Sequence, residues 1–256
     1  MPNNPDPNES GPIRIAMWSG PRNISTALMR SWEARSDSIV IDEPLYGHYL
    51  RWLPNETFRQ HPGADQTIAA MDCDWRSVTH HLLGPVPGGK PVWYQKHMAH
   101  HLTPDVDPDW IGGLTNCFLI RDPAAMIASF AKVIPNPTAA DLGLPQQVEL
   151  FERVRQRTGT VPAVIDSHDV LRDPRRILSA LCERVGLVFE PGMLRWQPGA
   201  RPTDGVWAPH WYANVEQSTG FAPPRHETAE VPGHLIGVLD QCRPMYDLLA
   251  QYRIKG

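Results

Sequence analysis

The sequence predicts an α/β protein with a parallel central sheet flanked by helices. Three observations carry that expectation. Short apolar runs of strand length recur between amphipathic stretches. Two helices open on the same pair, Asp122-Pro123 and Asp173-Pro174, an N-cap followed by a residue that suits the first helical position. Polar residues gather directly after the strand candidates, where an open parallel sheet holds its ligands. A chain of 256 residues is long enough to bury one large core. One domain over residues 13–256 is expected, preceded by a flexible tail at 1–12.

The first strand and helix come from Ile13 to Trp32. A short apolar run leads through Ser19-Gly20-Pro21-Arg22-Asn23 into Ser25-Thr26-Ala27-Leu28-Met29, with Ala27, Leu28, Trp32 and Arg35 at helical spacing and Arg30 and Glu33 on another face. Asn23 or Ser25 can cap the helix. Strand, tight loop and helix start make an anion cradle, because unpaired N–H groups and the positive end of the helix dipole converge there. Arg22 adds a permanent forked cation. A phosphate loop of the ATPase type reads G-x-x-x-x-G-K-[ST]. Counted from Gly20, Ser25, Thr26 and Ala27 stand where that pattern has Gly, Lys and Ser/Thr. With neither the lysine nor the magnesium-holding hydroxyl, the loop suits a phosphate-like group handled without magnesium, or is an ordinary strand-to-helix turn with a solvated Arg22.

The second strand, Ser38 to Ile41, ends in Asp42-Glu43-Pro44, two carboxylates that stand either at the ligand-binding edge or as solvated acids of a loop. Residues 45–90 read as an insertion with a helical patch from Thr67 to Leu83. A third strand, Pro91 to Gln95, precedes Lys96-His97-Met98-Ala99-His100-His101. His97 and His101 at i, i+4 lack the Glu of H-E-x-x-H, so no metal is expected, and the cluster supplies either surface or supporting histidines or a general base. Thr115 to Ile120 is the clearest buried strand. It runs into Arg121-Asp122-Pro123 and a helix, Ala124 to Val133, on which Ser129 lies about two turns along, so that Arg121 and Ser129 can converge on a second anion or Arg121 can simply pair with Asp122.

Gln146 to Arg157 is a charged amphipathic helix, Val161 to Ile165 a fifth strand, and Ile177, Leu178, Leu181 and Val185 form one apolar stripe. Residues 196–233 are aperiodic and hold Trp196, Trp207, His210, Trp211 and Tyr212, which predicts an ordered lid over a ligand. The last segment, Gly233 to Tyr252, is helical with a kink or break at Pro244.

A net charge of -4 argues against a nucleic-acid partner, which calls for a basic face. No stretch approaches the roughly 18 apolar residues of a membrane span. Cys73, Cys117, Cys182 and Cys242 show no C-x-x-C pair and read as buried thiols, and the polar start lacks a signal sequence, so a cytoplasmic location is expected.

Three motifs in this order resemble the sulfotransferases that use 3′-phosphoadenosine 5′-phosphosulfate (PAPS). Their phosphosulfate loop reads roughly P-[KR]-S-G-[TS]-T, and Pro21-Arg22-Asn23-Ile24-Ser25-Thr26 matches except at Asn23 and Ile24. Their 3′-phosphate motif has an Arg closing a strand, then [DN]-P, then Ser eight residues after the Arg, as in Arg121, Asp122, Pro123 and Ser129. A strand, a short acidic loop, D-P and a helix ending in Leu-Gly resemble Val164 to Leu187.

The resemblance implies a P-loop NTPase-like sulfotransferase fold with an aromatic C-terminal lid. It also implies metal-independent sulfuryl transfer from PAPS to a hydroxyl or amine of a small acceptor. Arg22, Asn23, Ile24, Ser25 and Thr26 would hold the 5′-phosphosulfate, and Arg121 with Ser129 the 3′-phosphate. Arg201 and Trp207, in RPTDGVW, loosely match the family's C-terminal nucleotide loop. Animal cytosolic members carry K-x-H at a strand end where this chain has Lys96-His97, and other members use a Glu near the second strand. His97 and Glu43 therefore both stand as the base, with Lys96 beside the bridging oxygen. Asp42, His100, His101, His210 and Trp211 would shape the acceptor pocket. The competing readings are a P-loop kinase or nucleotide hydrolase and a non-catalytic nucleotide-binding module. A monomer and a homodimer both fit the sequence.

Overall fold

A computed structural model describes residues 11–224 and 229–255. Five parallel strands form one sheet in the order β2-β3-β1-β4-β5, where β1 is Ile13–Ser19, β2 Ser38–Asp42, β3 Val92–Met98, β4 Thr115–Ile120 and β5 Ala163–Asp166. Helices α1 (Ser25–Glu33), α2 (Tyr46–Trp52), α3 (Asn55–Phe58), α4 (Ala64–Ala70) and α5 (Trp75–Leu83) lie between β1 and β3. Then come α6 (Pro123–Phe130), α7 (Leu144–Thr158), α8 (Ser167–Arg172), α9 (Pro174–Arg184), the short α10 (Ala208–Trp211) and α11 (Ala213–Glu216), and α12 (Ile236–Ala250).

Side chains alternate across a strand, so β1 serves two cores. Ile15 and Met17 join Leu28, Trp32, Tyr94, Ile177 and Leu181 on the α1/α9 face. Ala16 and Trp18 join Phe118, Phe151 and Leu249 on the α7/α12 face. Asp122 caps α6 by accepting from the Ala124 and Ala125 N–H groups, and Asp173 caps α9 through Arg176 N–H, with a proline at the start of each helix. The expected cap of α1 is corrected. Neither Asn23 nor Ser25 performs it: Ile24 occupies that position in the left-handed region, and Asn23 Nδ2 instead donates to the Leu119 carbonyl at 2.8 Å.

Other expectations are also corrected. The patch from Thr67 to Leu83 is two helices, since Asp74 starts a new one by capping Arg76 N–H. Pro244 does not divide the last helix, which runs unbroken from Ile236 to Ala250 with Cys242 and Leu249 anchored in the core. Arg30, on the face away from the expected apolar stripe of its helix, is nevertheless buried, because Asp204 reaches it at 2.6 Å from far along the chain. Cys73 is half-buried, and the other three cysteines are buried thiols. The third strand extends through Lys96 and His97 to Met98, beyond its expected end.

Candidate active site

The C-terminal ends of β1, β2, β3 and β4 open onto one cleft of about 1380 Å³, more than the roughly 300–1,000 Å³ of a typical small-ligand pocket. Its floor is the loop from Gly20 to Ile24. Gly20 is required there: a side-chain carbon would collide with the Leu142 carbonyl and the Met126 methyl. Among the described residues, the non-glycine residues with positive φ are Arg22 (57°), Ile24 (46°) and Glu43 (43°). All three line this cleft. Backbone strain of this kind, on the order of 1–3 kcal/mol per residue, gathers where ligands are handled. α1 has no side-chain cap, so its first-turn N–H groups face the cleft without a side-chain acceptor, which is the arrangement that receives an anion.

Two guanidiniums stand over that loop. Arg22 Nε donates to Ser129 Oγ at 3.1 Å, and Arg121 Nη1 donates to the Arg22 carbonyl. Burial lowers the pKa of both groups, and the charge of Arg22 lowers that of Arg121 further. Among the described residues neither makes an ion pair; Asp122 is taken by Arg243 at 2.7 Å instead. Two adjacent, half-desolvated cations without a carboxylate between them fit a bound anion. Lys132, Arg243 and Arg253 add positive charge along the same wall. The two anion grips expected at separate ends of a ligand are therefore in contact, because Arg22 turns toward Ser129.

Across the cleft lies a second linked group. Lys96 Nζ donates to Asp42 Oδ1 (2.8 Å), Glu43 Oε1 (2.6 Å) and the Tyr212 hydroxyl (2.7 Å), which uses all three ammonium hydrogens. Tyr212 donates to Asp42 Oδ2 at 2.6 Å and accepts from Trp207 Nε1 at 3.1 Å. Burial raises the Glu43 pKa above the ordinary carboxylate value, against the opposing pull of Lys96. The second Glu43 oxygen lies 4.0 Å from His101 Nε2. His101 stacks on Tyr46 and on Tyr49, each at 4.7 Å, and Trp207 meets Tyr46 edge-on at 5.1 Å. Burial pulls the imidazole pKa values down, to about 3 for His100, so these rings are neutral at pH 7.

The site residues expected from sequence divide accordingly. Arg22, Asn23, Ile24, Ser25, Thr26, Arg121, Ser129, Glu43, Lys96, His100, His101, Trp207 and Trp211 line the cleft. Asp42 is held behind it by Lys96 and Tyr212. His97 is not brought to the cleft. One strand position past Lys96 its ring points through the other face of the sheet, stacks on Trp18 at 4.4 Å and has its pKa pulled down to about 3 by burial. Arg201 is also elsewhere, 3.5 Å from Glu33 on α1, and Trp207 sits with Tyr46 and Tyr212 rather than beside the arginine pair. His210 is exposed beside Gly63.

Sequence reasoning passed over Tyr46, His61 and Arg243 and gave Tyr212 no role beyond the aromatic segment. Only tertiary contacts join these residues to the site, although the aromatic density around Trp207 marked the segment. Among the described residues no cluster of three or more His, Cys, Asp or Glu side chains is arranged to hold a metal ion. No helix of the described residues is long and apolar enough to cross a membrane.

Fold and cleft define an α/β protein with two partly buried arginines standing over a P-loop-like turn. The chain belongs to the sulfotransferase domain family, which it matches over residues 13–251. It is 35% identical over 241 residues to branched-chain-amino-acid aminotransferase-like protein 1 of Arabidopsis thaliana, and 34% identical over 235 residues to the like-named protein 2. These matches take in 94% and 92% of this chain but only 42% and 41% of those proteins, so the chain spans less than half the length of the curated relatives it matches. In fold it is similar to the sulfotransferase domain of the Synechococcus PCC 7002 olefin synthase, with TM-score 0.51, 17% identity, and 92% of this chain and 96% of that one covered. It is likewise similar to a sulfotransferase from Alicyclobacillus acidocaldarius, with TM-score 0.52, 11% identity, and 96% and 98% covered.

Proposed function

We propose that this domain transfers a sulfuryl group from PAPS to a hydroxyl or amine of a small acceptor, with Glu43 as general base. The observation that carries the reading is the Arg22–Ser129–Arg121 cluster, two cations in want of an anion in the cleft that also holds Glu43. In this reading Arg22, Arg121 and Ser129 take the 3′-phosphate. The 5′-phosphosulfate lies over the loop and α1 N–H groups with the hydroxyls of Ser25 and Thr26. Asn23 and Ile24 shape the loop, Asn23 through its bond to Leu119.

The acceptor oxygen or nitrogen attacks sulfur, its proton passes to Glu43, the bridging S–O bond breaks, and adenosine 3′,5′-bisphosphate leaves. A carboxylate raised by burial is a better base than an ordinary one, and positioned proton transfer contributes about 10²–10⁴-fold. Lys96 has no free hydrogen in the resting arrangement. Once Glu43 takes the proton it loses its charge, its hold on Lys96 weakens, and one ammonium N–H becomes available to the leaving oxygen. Asp42 and Tyr212 position Lys96 for that exchange. Trp207 and Trp211 would cover the bound pair as parts of a lid.

The test is label transfer from [³⁵S]PAPS, alongside thermal-shift titrations. Adenosine 3′,5′-bisphosphate should stabilise the domain without magnesium. Stabilisation by ATP with magnesium and none by the bisphosphate would return the kinase or hydrolase reading. Bisphosphate binding without any label transfer would leave a non-catalytic binding module.

A further inference from the structure

The acceptor half of the cleft is specific in its charge. Its linked residues hold the carboxylates of Asp42 and Glu43 against the single ammonium of Lys96, an excess of one negative charge, and both carboxylates and the ammonium are buried. The rings beside it are uncharged: His101 stacks face-on with Tyr46, Trp207 meets Tyr46 edge-on, and Trp207 Nε1 donates to the Tyr212 hydroxyl. The imidazoles that might supply positive charge are locked in these stacks, and burial keeps them neutral. Arg30, the next cation behind this wall, is already matched by Asp204 at 2.6 Å and Glu33 at 3.5 Å. The free positive charge of the cleft stands in the opposite half, around Arg22 and Arg121, where the nucleotide's own phosphates would neutralise it. An anionic acceptor would thus meet an uncompensated carboxylate in a site where water screens poorly, whereas aromatic faces and a negative excess both favour a cation.

We infer that the acceptor carries no anionic group near its reacting hydroxyl or amine, being a neutral or cationic small molecule that presents an apolar face to Tyr46 and Trp207. This rests on the sulfotransferase reading above and adds the charge class of the substrate to it.

The experiment offers [³⁵S]PAPS with acceptors matched in scaffold and differing only in one substituent: neutral, ammonium or carboxylate. Three scaffolds are used, a phenol, a cyclohexanol and a linear alcohol. In each scaffold that turns over, the carboxylate member should have a kcat/KM at least tenfold below its neutral and ammonium partners, a factor equal to about 1.4 kcal/mol. A carboxylate member within tenfold of its partners, or better than them, overturns this inference alone. Turnover of none of the nine compounds, with bisphosphate still raising Tm, overturns the catalytic reading and this inference together.

Discussion

Replacing Arg121 by alanine tests the anion site most directly, because the structure separates its binding role from any structural one. The side chain makes one hydrogen bond, to the Arg22 carbonyl, and no ion pair among the described residues. Most of its five N–H donors therefore remain for a ligand. Charge-assisted hydrogen bonds are worth about 1.5–3 kcal/mol each, and a forked contact adds a second that is not fully additive. The expected loss of adenosine 3′,5′-bisphosphate affinity is about 2–4 kcal/mol, roughly 30- to 1,000-fold in Kd by calorimetric titration. Stability of the ligand-free domain should barely change, because the variant removes a desolvated charge that Arg22 already repels. Arg121→Lys should restore the charge but only part of the affinity, since an ammonium lacks the fork. Unchanged affinity in Arg121→Ala would refute the assignment. A collapse of Tm in the free protein would show that Arg121 is a structural residue instead.

Glu43→Gln should lower kcat by about 10²–10⁴-fold while bisphosphate affinity stays within a factor of a few; an active variant removes Glu43 as the base. Because burial raises the Glu43 pKa and the base must be ionised, the acid limb of kcat/KM in the wild type should fall at an apparent pKa above the usual glutamate value of about 4.3. Lys96→Met, which removes a charge that favours the carboxylate, should move that limb to still higher pH, and a limb that stays in place would disconnect Lys96 from the base. His97→Ala should cost about 2–3 kcal/mol of stability by denaturant titration, as for other buried truncations, yet leave the kcat of the folded fraction within a few-fold. A loss of rate like that of Glu43→Gln would bring His97 back into the chemistry. Asp204→Ala should destabilise by about 2–4 kcal/mol, below the usual cost of orphaning a buried charge because Glu33 remains 3.5 Å from Arg30.

Much of the sheet was legible because its strands are buried on both faces and read as apolar runs; Thr115 to Ile120 is the clearest case. Both Asp-Pro helix starts were legible for the same local reason, a side-chain oxygen two or three residues from the N–H it accepts. The end of β3 was not legible. Lys96 and His97 are polar and resemble a loop, but their polarity is satisfied within the fold, Lys96 by two carboxylates and a phenol and His97 by Gln95 and Trp18. That one extension decides the chemistry, since strand alternation sends adjacent residues to opposite faces and only Lys96 reaches the cleft. Arg30 and Tyr212 were opaque for a further reason: their partners, Asp204 and Asp42, are each more than 160 residues away. The phosphate loop lay between these cases. Its motif located a loop that lines the cleft, while the turn of Arg22 toward Ser129 accompanies a positive φ that no local pattern in the sequence announced.

That positive φ recurs at Ile24 and Glu43, and it bears on how such a domain responds to selection. A variant library screened for heat tolerance alone should accumulate glycine or asparagine at positions 22, 24 and 43, where the left-handed backbone costs an ordinary side chain about 1–2 kcal/mol. Each such gain would strip a side chain from the lining of the cleft. Thermal hardening and turnover in this domain should consequently oppose each other at three addresses known in advance, and be nearly independent elsewhere.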